Sequence, residues 1–333
     1  MKKTLIVSLC LLLAAGVFSA FAGGGGDSGG KKITANIAST FPPDSPQDKG
    51  MNHFKKLAAE RSNGRIEIRI HPAGTMGDEI QTFEIVSQGS VEYGAIAASH
   101  ISLHYPRYYV NEVPYFMSNQ NDFWNFWNGP GKELMAMVEK DWNVRTDGII
   151  FRGTRLLTAN RPIRNVAELK GLKLRLPPLK LMTDSWTALG AIPTPIAFSE
   201  VYMALQTGVV EAQENPAETI LAYKFYEAQK YLILTEHIHS PASMITSLLW
   251  WKTVDSGAQG ILSKAMTEAV AFANEITKNG DAEFIKQLQK LGMEVIQVDK
   301  AEFRKTLQPT IDRIAREQWD PVFYGKVKAL FGL

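Results

Sequence analysis

The chain has 333 residues, of which 45% are hydrophobic and 21% are charged, and its formal net charge is +2. This length accommodates two domains with substantial cores. A nearly neutral chain of mixed charge lacks the electrostatic footprint of proteins that bind nucleic acids or anionic lipids, so neither is expected as a partner.

The N-terminal segment has the features of an export signal. Lys2 and Lys3 form a short positive region, and the stretch Leu5–Val17 is mostly apolar but too short to span a bilayer. Ala20-Phe21-Ala22 then supplies the small residues of a cleavage site. We predict that residues 1–22 are a signal peptide and that the chain is exported to the periplasm. The alternative, a membrane anchor, is disfavoured because the apolar run is short and ends in small residues.

Cys10 is the only cysteine, and it lies within this segment. In a lipoprotein it would carry the lipid, but Leu9 precedes it where small residues are usual. We expect Cys10 to be removed with the signal, which would leave a mature chain without disulfides or thiolate metal sites. Residues 23–32 are rich in glycine, and this composition predicts a disordered tether.

The segment that follows alternates between strand and helix patterns. Strands are predicted for Ile33–Ala38, Ile66–Ile70 and Tyr93–Ala97. Helices are predicted around Met51–Ala58 and Asp78–Ser87, which lie between these strands. This order is typical of an α/β domain with a largely parallel sheet.

The alternation returns later in the chain and indicates a second α/β domain. The predicted strands are Gly148–Phe151, Leu172–Leu176, Ile192–Pro195 and Val209–Ala212, and the predicted helices are Leu181–Leu189 and Phe198–Thr207. After Trp250, apolar residues keep a helical spacing up to Leu291, and only Gly280 interrupts them. A strand over Gly292–Val298 and a helix over about Lys300–Glu317 complete the prediction.

Motifs of enzymes and metal sites are missing. The sequence contains no Gly-rich phosphate loop, no nucleophile elbow and no zinc-protease motif. His237 and His239 form a pair that could bind a metal, but no third ligand stands nearby, and such a pair is usually a surface feature. We predict no enzyme activity, no cofactor and no metal.

Two arginines stand where predicted strands end. Arg175 closes an apolar strand, and Arg155 follows Gly153-Thr154 after another. Open α/β sheets bind ligands at the carboxyl ends of their strands, and a guanidinium there can hold a carboxylate through two parallel hydrogen bonds. By themselves these positions are more typical of ordinary surface or ion-paired arginines.

Asn215 and Phe198 are weaker candidates. Asn215 follows the predicted strand Val209–Ala212 and could offer its amide to a polar ligand, although Asn-Pro is also a plain turn signal. Phe198 could form a flat wall for a ligand or pack at the start of its helix.

Several longer segments form a distinctive set. They are Gly153-Thr154-Arg155, Leu169-Lys170-Gly171-Leu172-Lys173-Leu174-Arg175, Pro193-Thr194-Pro195-Ile196-Ala197-Phe198 and Gln213-Glu214-Asn215-Pro216, with Gly77-Asp78-Glu79 as a weaker member. With these segments the sequence resembles the solute receptors of tripartite ATP-independent periplasmic (TRAP) transporters, in particular the sialic-acid and dicarboxylate branch. The resemblance extends from about Lys32 to the C-terminus.

The resemblance implies roles for the candidate residues. Arg175 would form the main salt bridge with a ligand carboxylate, and Arg155 would give a second cationic contact. Asn215 would hydrogen-bond the ligand, and Phe198 would pack on it. Glu79 would face the cleft from the first domain and accept hydrogen bonds from ligand hydroxyls or an amine.

One part of the family pattern differs. Sialic-acid receptors carry a Glu and an Arg after the strand that matches Tyr93–Ala97, where this chain has Ala97 and His100. We therefore expect Ala97 and His100 to contact the ligand in their place. The difference leaves uronic acids, aldonic acids and dicarboxylates as candidate ligands, and the sequence does not choose among them.

The fold implied by the resemblance is an α/β clamp of two lobes with a long helix that spans both. One lobe would comprise residues 33–152 and 241–280, and the other residues 153–240 and 281–333. The helical pattern from about Gln259 to Leu291 would be the spanning helix.

The implied function is that of an extracytoplasmic solute receptor. Its lobes would close on a small organic acid, and the closed monomer would deliver this ligand to the membrane permease subunits of a TRAP transporter. Two alternatives remain at this stage. The protein could act on a sensory or scaffold partner, or it could be an organic-acid enzyme with Glu79 or His100 as its base.

Overall fold

The computed structural model of the protein describes residues 31–110, 112–278 and 280–331. The predicted signal peptide, Cys10 and nearly all of the predicted tether lie outside the described residues. Within these ranges, no helix is long and apolar enough to cross a bilayer.

The first elements follow the predicted order. They are β1 (Ile33–Ser39), α1 (Pro46–Arg61), β2 (Ile66–His71), α2 (Glu79–Ser87) and β3 (Tyr93–Ala97). Side chains cap both helices. Ser45 accepts a hydrogen bond from the N–H of Asp48, and Asp78 forms a reciprocal capping box with Gln81. β1 pairs in parallel with β2 and β3, which confirms the predicted β-α-β-α-β arrangement.

Three helices follow that the sequence analysis did not predict. They are α3 (Ser99–His104), α4 (Gln120–Asn128) and α5 (Pro130–Trp142). Phe123, Phe126 and Trp127 form the buried face of α4. Their helical spacing is visible in the sequence, so the signal for α4 was present.

β4 (Val144–Ala159) is a strand of 16 residues, where the sequence predicted only Gly148–Phe151. Charged residues on both sides of the apolar centre made the predicted strand too short. In the structure those charges have partners: Arg145 contacts Asp147, and Arg155 contacts Glu214. Paired charges can be buried in a sheet, so the strand continues through them.

β4 joins two halves of one ten-stranded sheet. The first half consists of β2, β1, β3, β9 (His239–Ser247) and the start of β4. The second half consists of the end of β4 with β7 (Ala212–Pro216), β5 (Lys173–Leu176), β6 (Ile192–Pro195), β8 (Tyr231–Leu234) and β10 (Glu294–Gln297). All pairs that include β4 or β9 are antiparallel, so the sheet is parallel only towards its edges.

The sequence predicts a strand over Val209–Ala212, but the observed strand β7 starts only at Ala212 and runs to Pro216. Val209 is exposed, whereas Gln213, Glu214 and Asn215 are buried within β7. The prediction was wrong because it followed the apolar residues, and here the buried strand is polar. Asn215 is therefore a strand residue and not part of a turn.

The predicted spanning helix is two helices, α10 (Ser256–Lys278) and α11 (Asp281–Lys290), preceded by the short α9 (Leu248–Trp251). The break falls at Gly280, where the sequence showed the interruption. α10 packs on α1 and β4, and α11 packs on α8 (Ala217–Ala222). The two helices together thus extend from one half of the sheet to the other.

The remaining helices cover the second half and reach back to the first. α6 (Lys180–Ala188) and α7 (Val201–Gln206) occupy their predicted places. α12 (Lys300–Gln318) packs on α6, whereas α13 (Pro321–Phe331) packs on α4 and α5. The exact division of the chain between two lobes stays a prediction.

Candidate functional site

A cavity of about 330 Å³ is lined by residues from both halves of the sheet. Six of the predicted ligand residues line it, namely Glu79, Ala97, Arg155, Arg175, Phe198 and Asn215. Its volume is at the lower end of that of pockets that hold small molecules. A more open groove of about 700 Å³ lies on the surface at α12 and α13, and it contains none of the predicted ligand residues.

Arg175 lies in β5 with its side chain at the cavity wall and is only 2% exposed. Its Nε and Nη2 both donate to the carbonyl oxygen of Ile196, at 2.9 and 2.7 Å. The guanidinium carbon lies 5.7 Å from the centre of the Phe198 ring. Among the described residues Arg175 forms no salt bridge. Burial lowers the pKa of Arg175 to about 10, so the cation is still charged at neutral pH but poorly solvated.

Arg155 lies inside β4, and not at a strand end as predicted. Its guanidinium is held by Glu214: Nη2 donates to Oε1 at 2.7 Å and to the backbone carbonyl at 2.9 Å, and Nε donates to Oε2. Nη2 also lies 3.3 Å from Oδ1 of Asn215. Both members of the ion pair are buried, so Arg155 reaches the cavity as half of a neutral pair.

Glu214 is also bound from behind by His237, whose Nε2 lies 3.0 Å from Oε2. Burial acts to raise the pKa of Glu214, but the charge of Arg155 and the hydrogen bonds from Arg155 and His237 outweigh it and lower the pKa to about 2. Burial lowers the pKa of His237, so its ring is neutral at pH 7. Nε2–H then donates to Glu214, and Nδ1 accepts from the hydroxyl of Thr235 at 2.8 Å.

The position of His237 corrects the interpretation of the His237–His239 pair. His237 is 1% exposed and belongs to this buried network, so it is not a surface residue. Among the described residues, no group of three or more histidine, cysteine, aspartate or glutamate side chains is placed to hold a metal ion.

Asn215 is oriented by its neighbours in the sheet. Its Nδ2 donates to Oε1 of Gln213 at 2.7 Å, and Nε2 of Gln213 donates in turn to the hydroxyl of Thr158 at 2.9 Å. The hydrogen bond to Gln213 uses one of the two Nδ2 protons of Asn215. The other is the group that Asn215 can offer at the cavity, which Asn215 lines.

Glu79 and Ala97 reach the cavity from the first half of the sheet, but His100 does not. Glu79 is the first residue of α2, and Ala97 is the last residue of β3. His100 is 2% exposed, its ring is stacked on Phe83 with centroids 4.9 Å apart, and its Nδ1 lies 3.3 Å from the carbonyl oxygen of Ala97. Burial lowers the pKa of His100 to about 4. Because α3 turns this side chain inward, His100 is a neutral packing residue behind the cavity wall.

Arg152 lines the cavity and was not predicted. Its Nη2 donates to the hydroxyl of Thr219 at 3.1 Å, its Nε lies 3.9 Å from a carboxylate oxygen of Glu218, and its guanidinium lies 5.0 Å from the centre of the Phe41 ring. It directly follows the apolar stretch that was predicted as a strand. Arg155 is a candidate because it follows a predicted strand, and Arg152 meets the same criterion. The sequence therefore contains the information needed to predict Arg152.

Glu112 and Tyr223 also line the cavity and were not predicted. Glu112 is 4% exposed. The hydroxyl of Tyr223 donates to the carbonyl oxygen of Thr40 at 2.9 Å, which links the two halves of the sheet across the cavity. Neither residue stands in a sequence context that distinguishes it from other Glu and Tyr residues.

Gly153 explains why the segment Gly153-Thr154-Arg155 begins with glycine. Its φ is +100°, and a Cβ there would collide with the carboxylate of Asp281. That carboxylate accepts hydrogen bonds from the N–H and the hydroxyl of Thr154, at 3.1 and 3.0 Å. Glycine therefore lets the start of α11 dock on β4 at the point where β4 changes partners.

The sequence of the chain matches a known protein family. Residues 37–318 match the model of the family described as bacterial extracellular solute-binding protein, family 7. The chain belongs to this family. The family consists of solute-binding receptors, which confirms both the resemblance and the expectation that the protein is not an enzyme.

Relatives of this family 7 protein carry names that agree with the assignment. The sialic acid-binding periplasmic protein SiaP of Vibrio cholerae is 31% identical over 262 residues, which cover 78% of this chain and 82% of the relative. The C4-dicarboxylate-binding periplasmic protein DctP of Rhodobacter capsulatus is 28% identical over 291 residues, which cover 85% and 86% of the two chains.

A solved structure agrees with the fold. The TRAP periplasmic solute-binding protein of Roseobacter denitrificans with bound L-galactonate is 27% identical, with a TM-score of 0.83 and coverage of 90% of this chain and 99% of that one. The match confirms the predicted class, a two-lobed α/β binding protein.

Proposed function

We propose that this family 7 protein is the receptor of a TRAP transporter and that it holds a small organic acid through a salt bridge from Arg175 to the ligand carboxylate. The observation that supports this most strongly is the state of Arg175. It is a buried cation at the cavity wall that forms no salt bridge among the described residues. A carboxylate at this point would supply the missing charge in a desolvated setting, where a hydrogen-bonded ion pair is strongest.

Other residues of the second half would complete the contact. Phe198 lies against the Arg175 guanidinium and offers its ring to the ligand. Asn215 offers an amide proton. Arg155 acts as a hydrogen-bond donor more than as a second charge, because Glu214 already neutralises it. The similar proteins are named for binding sialic acid or C4-dicarboxylates, or contain bound L-galactonate. All of these compounds carry a carboxylate, which supports an acid as the ligand of this protein.

The two halves of the sheet would act as a clamp. A hydrogen bond across the cavity, from Tyr223 to Thr40, would stabilise its closed form. A ligand that contacts both halves shifts the population towards closure. The closed monomer would then dock on membrane permease subunits, after export from the cytoplasm and removal of residues 1–22.

The first test measures binding by the protein purified from the periplasm of a bacterial host that expresses the full chain. After unfolding and refolding to strip bound ligand, its melting temperature is measured with uronic and aldonic acids, C4-dicarboxylates, 2-oxo acids, sialic acid and neutral sugars. We expect at least one acid to raise the melting temperature. The shift should vanish in Arg175→Met and persist in Arg164→Met, a control at an exposed arginine.

Two results would contradict the proposal. One is stabilisation by neutral sugars alone, and the other is an undiminished shift in Arg175→Met. Delivery is tested separately, by uptake of the same acid into vesicles that contain candidate TRAP permease subunits. Uptake should require the receptor and should fail with Arg175→Met.

A further inference from the structure

The cavity is lined both by arginines and by carboxyl groups, which come from different segments of the chain. Arg175, Arg155 and Arg152 lie on the side of β4 and β5. Glu79 and Glu112 come from the segments before and after β3, and both line the same cavity. A ligand that fills the cavity therefore contacts carboxyl groups as well as cations, and the charges of Arg155 and Arg152 act on Glu112.

Among the described residues, two of the three cavity arginines already have a carboxylate neighbour. Arg155 is neutralised by Glu214, and Arg152 lies next to Glu218. Arg175 is the one cavity arginine that forms no salt bridge among the described residues. A second ligand carboxylate would have to compete with Glu214 or Glu218 for an arginine. Both glutamates are buried and accept hydrogen bonds, although among the described residues Oε2 of Glu218 and Nε of Arg152 have no hydrogen-bond partner.

Glu79 and Glu112 disfavour a second ligand carboxylate in the cavity. Glu112 is 4% exposed and feels the charges of Arg155, Glu79, Arg152 and Glu214. Burial raises the pKa of Glu112 to about 7, with Arg155 lowering it and Glu79 raising it. At neutral pH Glu112 thus exists in both forms and can accept a hydrogen bond from a hydroxyl or donate one to it. An anion placed here would be repelled and poorly solvated.

We propose that the ligand is a monocarboxylic acid with hydroxyl groups at the end remote from its carboxylate, and that Glu112, with Glu79, excludes dicarboxylic acids. This rests on the proposed function, since it takes Arg175 as the carboxylate anchor. Glu112 is on this view a specificity-determining residue: it hydrogen-bonds the neutral end of the ligand and raises the free energy of any ligand with a second negative charge there.

The test uses pairs of acids that differ only at the remote end. D-galactonate and galactarate form one pair, and D-erythronate and meso-tartrate form a shorter one. In each pair a terminal CH₂OH of the first compound is a carboxylate in the second. Dissociation constants are measured by calorimetry at pH 8 for the wild-type protein, Glu112→Gln and Glu139→Gln. Glu139 is exposed on α5 and serves as the matched control.

We expect at least one monoacid to bind wild-type protein at least 100-fold more tightly than its diacid. Glu112→Gln should narrow this gap at least tenfold, and Glu139→Gln should leave it unchanged. The wild-type comparison stands even if Glu112→Gln does not fold.

Two groups of outcomes overturn different statements. A diacid that binds wild-type protein as tightly as its monoacid, or a gap that Glu112→Gln leaves unchanged, overturns this inference and leaves the anchor at Arg175 intact. The proposed function would instead be overturned if galactitol, the neutral analogue, bound as tightly as D-galactonate. It would also be overturned if no acid in the wider screen raised the melting temperature. The inference would fall with it.

Discussion

The surroundings of Arg155 and Arg175 differ although both arginines are buried in the wall of one cavity. Arg155 is enclosed by a network that runs through Glu214 and His237 to Thr235. Among the described residues, Arg175 donates hydrogen bonds only to a backbone carbonyl and lies near the Phe198 ring, and the charges of Glu214 and Glu79 also act on it. The first region is a completed ion pair, and we propose that the second receives its carboxylate partner from the ligand. Burial alone therefore does not distinguish the two arginines, whereas the presence or absence of a salt bridge does.

The largest expected effect is on the stability of the Arg155 region. Arg155→Met leaves Glu214 buried without its cation, and we expect the free energy of unfolding of the ligand-free protein to fall by about 3–5 kcal/mol. Urea denaturation measures this. Arg155→Met/Glu214→Gln, which removes both charges, should recover a large part of the loss. A single variant as stable as wild type would show that the pair does not hold this region together.

The same ion pair predicts a dependence of stability on pH. The folded-state pKa of Glu214 is about 2, below its ordinary value of 4.5. The stability contributed by its ionised form is therefore present above about pH 4.5 and is lost as the pH falls towards 2. We expect the advantage of wild type over Glu214→Gln to shrink by about 3 kcal/mol across this interval.

Denaturation curves at several pH values give this comparison, with Glu139→Gln as an exposed control. An advantage of wild type over Glu214→Gln that stays constant down to pH 2 would contradict the assignment of an ionised Glu214.

For Arg175 we expect a large effect on ligand binding and only a small effect on stability, in contrast to Arg155. Arg175→Met should weaken binding of the acid at least 100-fold, about 2.7 kcal/mol. It should change the unfolding free energy of the ligand-free protein by no more than about 1 kcal/mol, because the lost hydrogen bonds to Ile196 are offset by removal of a desolvated charge. Calorimetry and urea denaturation on the same samples separate the two. Severe destabilisation with unchanged affinity would reverse the roles given to the two arginines.

The smallest expected effect concerns the outer end of the Arg155 network. Thr235→Val keeps the shape of the side chain but removes the hydroxyl that donates to His237, and we expect a loss of about 1 kcal/mol in unfolding free energy. Thr187→Val, at an exposed position on α6, is the control and should have a smaller effect. Equal effects in the two variants would show that the network ends at His237.

The sequence predicted those parts of the fold that local signals determine. β1, α1, β2, α2 and β3 were found because their apolar periodicity is contained within each element. The motif segments located the cavity wall in the second half. In each case the relevant information lies close together in the chain.

The elements that were missed or misplaced depend on partners distant in the chain. β7 is buried through polar residues that bond across the sheet to β4, and β4 contains charges that are satisfied by β7. The prediction for His100 rests on its position in the sequence, which does not give the direction that α3 imposes on the side chain. Glu112 becomes informative only once it is found in the lining of the cavity that also contains Arg175.

The most direct test is a crystal structure of refolded protein with the acid that gives the largest rise in melting temperature. We predict carboxylate oxygens about 3 Å from the guanidinium of Arg175, with Glu214 still bound to Arg155. A carboxylate bound elsewhere, or one that displaces Glu214 from Arg155, would contradict the distinction between the two arginines.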